Sequence, residues 1–302
     1  SILQAVIGLF QFFKQSSLGL SWLGEYIAPI GTPGVASIDF HSLKILRAYG
    51  TLPHPNILGA FLVFGLFIGL YYVSRETFVK KLLVSCGTTV ILLGIIASFS
   101  RSAWLIAIFG LVSFTLYNLY RKNLSAVPVI VLILLVSCGT FFITSGKLVK
   151  SRVSELNASS TSITLREGFN RMSFDLIKTS PILGVGIGNY IPNLQSAYSL
   201  QPWQYQPPHN IFLFILAETG ILGLFSFCLM LYFVISSTWN FKKDILTFGL
   251  LGIFVGFLAL GMFDHYLVTI QQGQLMFFTL IGIILAQQNN SITYAPTQKN
   301  NS

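Results

Sequence analysis

Apolar runs of close to membrane-spanning length succeed one another along this chain, at 57–74, 82–99, 102–120, 125–144, 210–236, 245–263 and 266–287. An α-helix needs roughly 20 apolar residues to cross the hydrocarbon core of a bilayer. The expected fold is therefore all-α, a polytopic bundle of transmembrane helices. Composition agrees, because 53% of the 302 residues are hydrophobic and 9% are charged, with mean hydropathy +0.73, whereas soluble domains carry roughly 25% charged residues. A first apolar run, at about 2–13, is too short to span and reads as the tail of a cut span. With Ser1 at the start and no basic region before it, the chain reads as N-terminally truncated rather than as a signal peptide.

A formal charge of +9 would suggest nucleic acid in a soluble chain. Here Arg75, Lys80 and Lys81, then Arg121 and Lys122, then Lys242 and Lys243 sit in short connections between runs, where basic residues mark the cytoplasmic side. No nucleic-acid partner is expected. Counting spans alternately puts 14–53, 100–102, 145–210 and Asp264 outside, and the polar tail 287–302 inside and disordered. The organisation expected is a single membrane domain, 1–302, whose large non-cytoplasmic loop is 145–210. Cys86, Cys138 and Cys228 fall within apolar runs and read as small core residues, not disulfide partners or metal ligands.

The unusual polar residues thus converge on one face. In the long loop, Lys147, Lys150, Arg152, Arg166, Arg171 and Lys178 outnumber Glu155, Glu167 and Asp175. Loops this long escape the positive-inside rule, so the excess points to a negatively charged, lipid-anchored ligand, or else to a merely solvated loop. Thr164 and Glu167 have capping-box spacing, which predicts a helix start at Thr164, and Leu165, Phe169, Met172 and Leu176 then form an apolar stripe that Pro181 ends. Arg166 in the first turn would join free N–H groups to a guanidinium, a phosphate site; the alternative is a surface arginine paired with a loop carboxylate. Arg171 reads as such a surface charge.

Arg101 interrupts an apolar stretch at the outer end of two runs, where an ionisable residue is either functional or a snorkelling arginine beside the interfacial Trp104. Gly184, Gly186 and Gly188 lack the strand and helix of a nucleotide fingerprint. They predict a tight turn or close backbone packing beneath a ligand. His209, stiffened by Pro207 and Pro208, directly precedes a run and is the candidate base, or else a helix-start residue without chemistry. His54 starts a run in the same way, while His41 and His265 lie in connections. Glu218 is out of phase with His209 on a helix, so it is no orienter for that ring and reads as a buried packing group. With no H-x-x-H or H-E-x-x-H spacing, and with Glu25, Asp39, Glu155, Glu167, Asp175 and Asp264 far apart, no metal site is expected. The competing reading has Asp264, beside His265, joining a distant acid around a cation.

Several segments together carry a resemblance. Ser100-Arg101-Ser102-Ala103-Trp104-Leu105, Arg166 ahead of Pro181-Ile182-Leu183-Gly184-Val185-Gly186-Ile187-Gly188-Asn189-Tyr190, and His209-Asn210 followed by Ala217-Glu218-Thr219-Gly220-Ile221-Leu222-Gly223 resemble the O-antigen ligase and polymerase superfamily. His54-Pro55-Asn56-Ile57-Leu58-Gly59 resembles a further upstream segment of many members. The resemblance implies an integral-membrane glycosyltransferase of GT-C type in the bacterial cytoplasmic (inner) membrane, metal-independent and without a cofactor. It implies a large periplasmic loop and the transfer of glycan from an undecaprenyl-diphosphate-linked donor to a glycan, lipid or protein acceptor, as in lipopolysaccharide assembly. Arg101 and Arg166 match the arginines with which the family holds the donor diphosphate, and His209 matches its proposed base; direct attack would invert the anomeric carbon. Arg47 adds a third positive charge from its external position alone. These motifs do not separate a ligase from a surface-polysaccharide polymerase or a protein O-oligosaccharyltransferase. A lipid-linked glycan flippase or transporter is the rival of another class, and the paired repeats it should show are not found.

Overall fold

The computed structural model describes residues 1–25, 29–32, 34–41, 43–154, 161–238 and 245–293. Helix α1 (Ile2–Lys14) is followed by a hairpin of β1 (Ser37–Phe40) and β2 (Leu43–Leu46), antiparallel with Ser37 opposite Leu46. Then come α2 (Pro55–Arg75), α3 (Phe78–Ala97), α4 (Arg101–Tyr120), α5 (Val127–Ser154), α6 (Thr161–Thr179), α7 (Tyr190–Ala197), α8 (Ile211–Ser237), α9 (Ile245–Gly261), α10 (Tyr266–Thr269) and α11 (Gln271–Thr293). Five of these, α2, α3, α4, α5 and α8, are long and apolar enough to cross a membrane, and α1 and α9 are shorter apolar helices. The chain is an all-α polytopic membrane protein, as its apolar runs predict.

Helix α2 is the axis of the bundle. It packs against α3, α4 and α9, and its side chains from Ile57 to Val73 are mostly buried because the helix is apolar all round. The run 266–287 is not one helix, since Ile270 leaves helical geometry between α10 and α11. The polar connection 14–53 is folded rather than loose. Gln11 in α1 donates to Glu25 Oε1 at 2.8 Å and to Gly50 O at 2.7 Å, and accepts from Gly50 N at 2.8 Å. Glu25 in turn takes the amides of Leu18 and Leu20. The hairpin buries Ile38 and Leu46 against this end of the bundle.

The two ends of the bundle differ in chemistry. At one, Asn118 and Asn123 donate to Ser74 Oγ and O, and Lys81 donates to Ser125, tying the α2–α3 connection to the α4–α5 connection. Arg75, Lys80, Arg121 and Lys122 lie at this end. The third basic pair expected on the same side, Lys242 and Lys243, lies outside the described residues, as do Glu155 and the end of the tail. The opposite end gathers the α3–α4 connection, His54 and the residues just before α8 and α10.

Two helices are broken, each for a visible reason. Ser145 (φ −142°, ψ 18°) kinks α5, so that its last turns continue the apolar run at a new angle and reach β1, where Ser151 Oγ donates to Asp39 O. Gly220 (φ 63°, ψ −169°) breaks α8 within the membrane-spanning stretch. The loop 181–188 fills that break. Val185 N donates to Ala217 O and Gly186 N to Glu218 O, both at 2.9 Å, and Ile221 N returns a bond to Pro181 O at 3.0 Å. Backbone thus meets backbone on both sides, as it does at a sheet edge. A Cβ on Gly184 (φ 72°) would collide with the Glu218 main chain, and one on Gly220 with the Ile182 main chain. Close backbone packing is therefore what this glycine motif encodes.

Candidate active site

The α3–α4 connection is where the site begins. Ser100 caps α4, its hydroxyl facing the Ala103 amide, so Arg101 is the first residue of the helix. Free N–H groups and an arginine thus occur together in that first turn, an arrangement suited to an anion. Two more arginines grip the same connection by its carbonyls: Arg47 Nε donates to Ser98 O at 2.7 Å, and Arg152 Nε reaches Phe99 O at 3.4 Å. Arg152 arrives there because α5 runs on past its kink.

Arg47 is buried and begins a relay. Its guanidinium donates to Asn56 Oδ1 at 2.8 Å, Asn56 Nδ2 donates to Asp264 Oδ2 at 2.7 Å, and Asp264 Oδ1 lies 3.4 Å from His209 Nδ1. At that length the last contact is longer than a strong hydrogen bond. The His265 amide also donates to Asp264 Oδ1, at 2.9 Å. Burial lowers the Arg47 pKa to about 9, with Arg152 adding repulsion and Asp264 opposing it, which leaves the side chain charged at neutral pH. Burial alone would raise the Asp264 carboxyl, but the His209 contact and the neighbouring histidines hold it well below the usual carboxylate range. Burial pushes His54 down to about 3 and His265 to about 4, so both are neutral at neutral pH.

His209 is held from both sides. Asn210 caps α8 by accepting from Phe212 N and Leu213 N, which fixes the residue just before it. The His209 ring lies 5.3 Å from that of His265 and 6.0 Å from that of Phe169 in α6. Because α6 begins at Thr161, the expected capping box at Thr164 and Glu167 falls inside the helix. A cap stabilises by about 1 kcal/mol, an amount that lengthening an amphipathic helix by a turn can offset. Arg166 therefore lies in the second turn, away from the free N–H groups, and it is Arg101 that has the helix-start position. Arg166 nevertheless precedes Phe169 by three residues, on the face turned to His209. Arg171 is exposed, and His41, at the tip of the hairpin, is exposed as well.

Glu218 lies elsewhere, as its phase predicts. It accepts from Gly188 N at 3.0 Å and Tyr190 N at 3.4 Å, capping α7. Tyr190 is buried with its hydroxyl against Ser173 of α6, and burial raises its pKa to about 12. Beyond α7, the Tyr205 hydroxyl donates to Tyr198 O and accepts from Leu200 N, closing a small surface loop on itself.

Among the described residues, His209, Asp264 and His265 offer ligand atoms within 4.8 Å of one another. The absence of paired histidine spacing did not foretell this grouping, because the three come from the start of α8 and the α9–α10 connection, which only the fold brings together. Asp264 already accepts from Asn56 and His265, and Arg47 stands behind it, so the surroundings disfavour a cation. Asn56 and Arg152 are further residues of the site that sequence reasoning did not single out. Asn56 lay in the quoted His54-Pro55-Asn56 segment, whereas Arg152 carried no signal beyond its charge.

Residues 86–228 match the family model described as O-antigen ligase. That segment belongs to the O-antigen ligase superfamily. The O-antigen ligase match contains Arg101, Arg152, Arg166 and His209, while Arg47, Asn56 and Asp264 join the site from outside it. The comparison with curated proteins gives no match. An O-antigen ligase domain on a helical membrane bundle points to a ligase- or polymerase-like enzyme of bacterial surface polysaccharide assembly, with a lipid-linked glycan and an acceptor as its partners.

Proposed function

We propose that this protein transfers a glycan from an undecaprenyl-diphosphate-linked donor to an acceptor hydroxyl on the periplasmic face of the cytoplasmic membrane, with inversion and without a metal. The chain is read as one membrane domain whose segment 145–210 forms the large extracytoplasmic loop. The observation that carries the reading is the contact of His209 Nδ1 with Asp264 Oδ1 at a bundle end where Arg47, Arg101 and Arg152 converge.

With its Nδ1 side turned to Asp264, the His209 imidazole keeps its proton there and presents the Nε2 lone pair. The acceptor oxygen attacks the anomeric carbon as His209 Nε2 takes its proton, and the bonding pair of the glycosidic C–O leaves with the diphosphate. Arg101, with the N–H groups of its helix start, and Arg166 stabilise the charge that grows on that leaving group. Arg152 adds to the field, and Arg47 acts from behind through Asn56 and Asp264. Guanidinium charge meets the need that a divalent cation meets in other sugar transferases, since it persists in a partly dehydrated site.

The test is transfer by the purified full chain from a polyprenyl-diphosphate glycan to candidate acceptors, with excess EDTA and then with added Mg²⁺ or Mn²⁺. The expected result is EDTA-resistant transfer that His209→Ala reduces by about 10²- to 10⁴-fold with donor binding retained. Activity lost to EDTA and restored by metal would reject the metal-free mechanism and assign His209, Asp264 and His265 to a cation. Full activity in His209→Ala would reject the base.

A further inference from the structure

Directly beneath the arginine-held connection lies an apolar cleft of about 280 Å³ between α3, α4 and α5. Ile95, Trp104, Ala107, Leu111, Cys138 and Val149 are among the residues lining it. We infer that this cleft seats the first isoprene units of a polyprenyl diphosphate whose phosphates rest against Arg101 and Arg152. The inference rests on the glycan-transfer reading and extends it by naming the part of the membrane domain that holds the donor's chain.

Charge and apolarity are in register along two helices. Arg101 stands one turn above Trp104 on α4, and Arg152 one turn beyond Val149 on α5, so two of the cleft's three walls end in an arginine. The mouth is built rather than accidental. Trp104 Nε1 donates to Ile95 O at 3.1 Å and to Ile96 O at 3.2 Å, which holds the indole across the α3–α4 corner. Phe99, at φ 49°, is fully buried there with its ring against Trp104 and Phe141, while its carbonyl faces Arg152.

Depth selects the occupant. From Arg101 to Leu111 the α4 wall descends about 15 Å at 1.5 Å per residue, half of a hydrocarbon core of about 30 Å. A chain entering from one leaflet would fill it. Ile108 and Phe142 on its rim are exposed, so the cleft opens sideways toward lipid rather than toward water. A ligand matched to both features has a compact, multiply charged anionic head joined to a single hydrocarbon chain, as a polyprenyl diphosphate does. Phosphatidylglycerol has a single phosphate, too little charge for two guanidiniums and a helix start.

The experiment uses the full chain in vesicles and two readouts. A photoreactive p-benzoylphenylalanine at Ile108 should crosslink to polyprenyl diphosphate, with excess polyprenyl diphosphate competing and phosphatidylglycerol not competing. In transfer assays, Ala107→Trp should raise KM for a long-chain donor by about tenfold while leaving a donor with a two-isoprene chain little changed. Leu105→Trp on the lipid-facing side of the same helix should affect neither donor. Equal competition by phosphatidylglycerol, or equal loss for long and short donors, would overturn the assignment and leave a general lipid cleft. Crosslinking needs no turnover, so crosslinking of the polyprenyl diphosphate at position 108 together with a wild-type chain that transfers nothing would sink the glycan-transfer reading and not the cleft.

Discussion

Asn56 donates to Asp264 at 2.7 Å across a sequence separation of 208 residues, joining the start of the central helix to the connection before α10. That bond holds one carboxylate oxygen so that the other faces His209. In the proposed mechanism Asp264 is a positioning residue, since it would act through His209. Asp264→Asn should lower kcat by about 10²-fold with little change in donor KM. A loss confined to protein stability, with kcat of the folded protein unchanged, would argue for a purely structural carboxylate.

The arginines separate by geometry. Arg101→Lys and Arg166→Lys should each fail to restore donor use, because an ammonium is a point charge without the fork that spans a diphosphate. Arg47→Ala should behave differently. It leaves Asp264 buried without the support of its relay, which costs roughly 3–5 kcal/mol, so a large fall in thermal stability is expected along with lost activity. Thermal unfolding in detergent beside donor titration distinguishes the two outcomes.

The break in α8 gives a sharper stability test. Gly184→Ala and Gly220→Ala each set a Cβ against a facing main chain at positive φ and should cost roughly 3 kcal/mol or more. Gly188 also has positive φ, 77°, but open space where its Cβ would go. Gly188→Ala should therefore cost only backbone strain, about 1–2 kcal/mol. Equal effects at all three positions would mean that φ alone, and not the backbone seam, makes these glycines necessary.

Stability should fall in mild acid. The unfolded chain takes up protons at its histidines near pH 6.5, whereas folded His54 and His265 resist protonation until about 3 and about 4. Protons then favour the unfolded state below pH 6.5, and each histidine contributes a slope of up to about 1.4 kcal/mol per pH unit as pH falls toward its folded value. Melting temperature should be flat in this term above pH 6.5 and decline from there to pH 4. Replacing both by His54→Asn and His265→Gln should flatten the decline.

The helices were legible because a long apolar run leaves few structural choices, and 57–74 becomes Pro55–Arg75 with only its edges moved. The hairpin at 37–46 was not, because each strand is only four residues long, too short for its alternation to stand out, and its burial comes from the bundle end it covers. Arg101 and His209 stood out as polar residues beside apolar runs. Asp264 and His265 were visible as neighbours, but their grouping with His209 across α8, α9 and α10 leaves no spacing to read. Arg152 was hidden by the kink at Ser145, which carries α5 beyond the run 125–144 that marks it in sequence. The start of α6 was misplaced because a capping-box pattern can also occur inside a helix.

Tyr205 binds both sides of the turn that it closes, so the stretch from Tyr198 to Tyr205 leaves and rejoins the scaffold at nearly one point. Upstream, α7 is anchored by Glu218; downstream, Asn210 anchors α8. Residues 199–204 therefore form a cassette whose length and side chains can change without shifting His209. A protein built this way can exchange those few residues while the frame around His209 stays as it was.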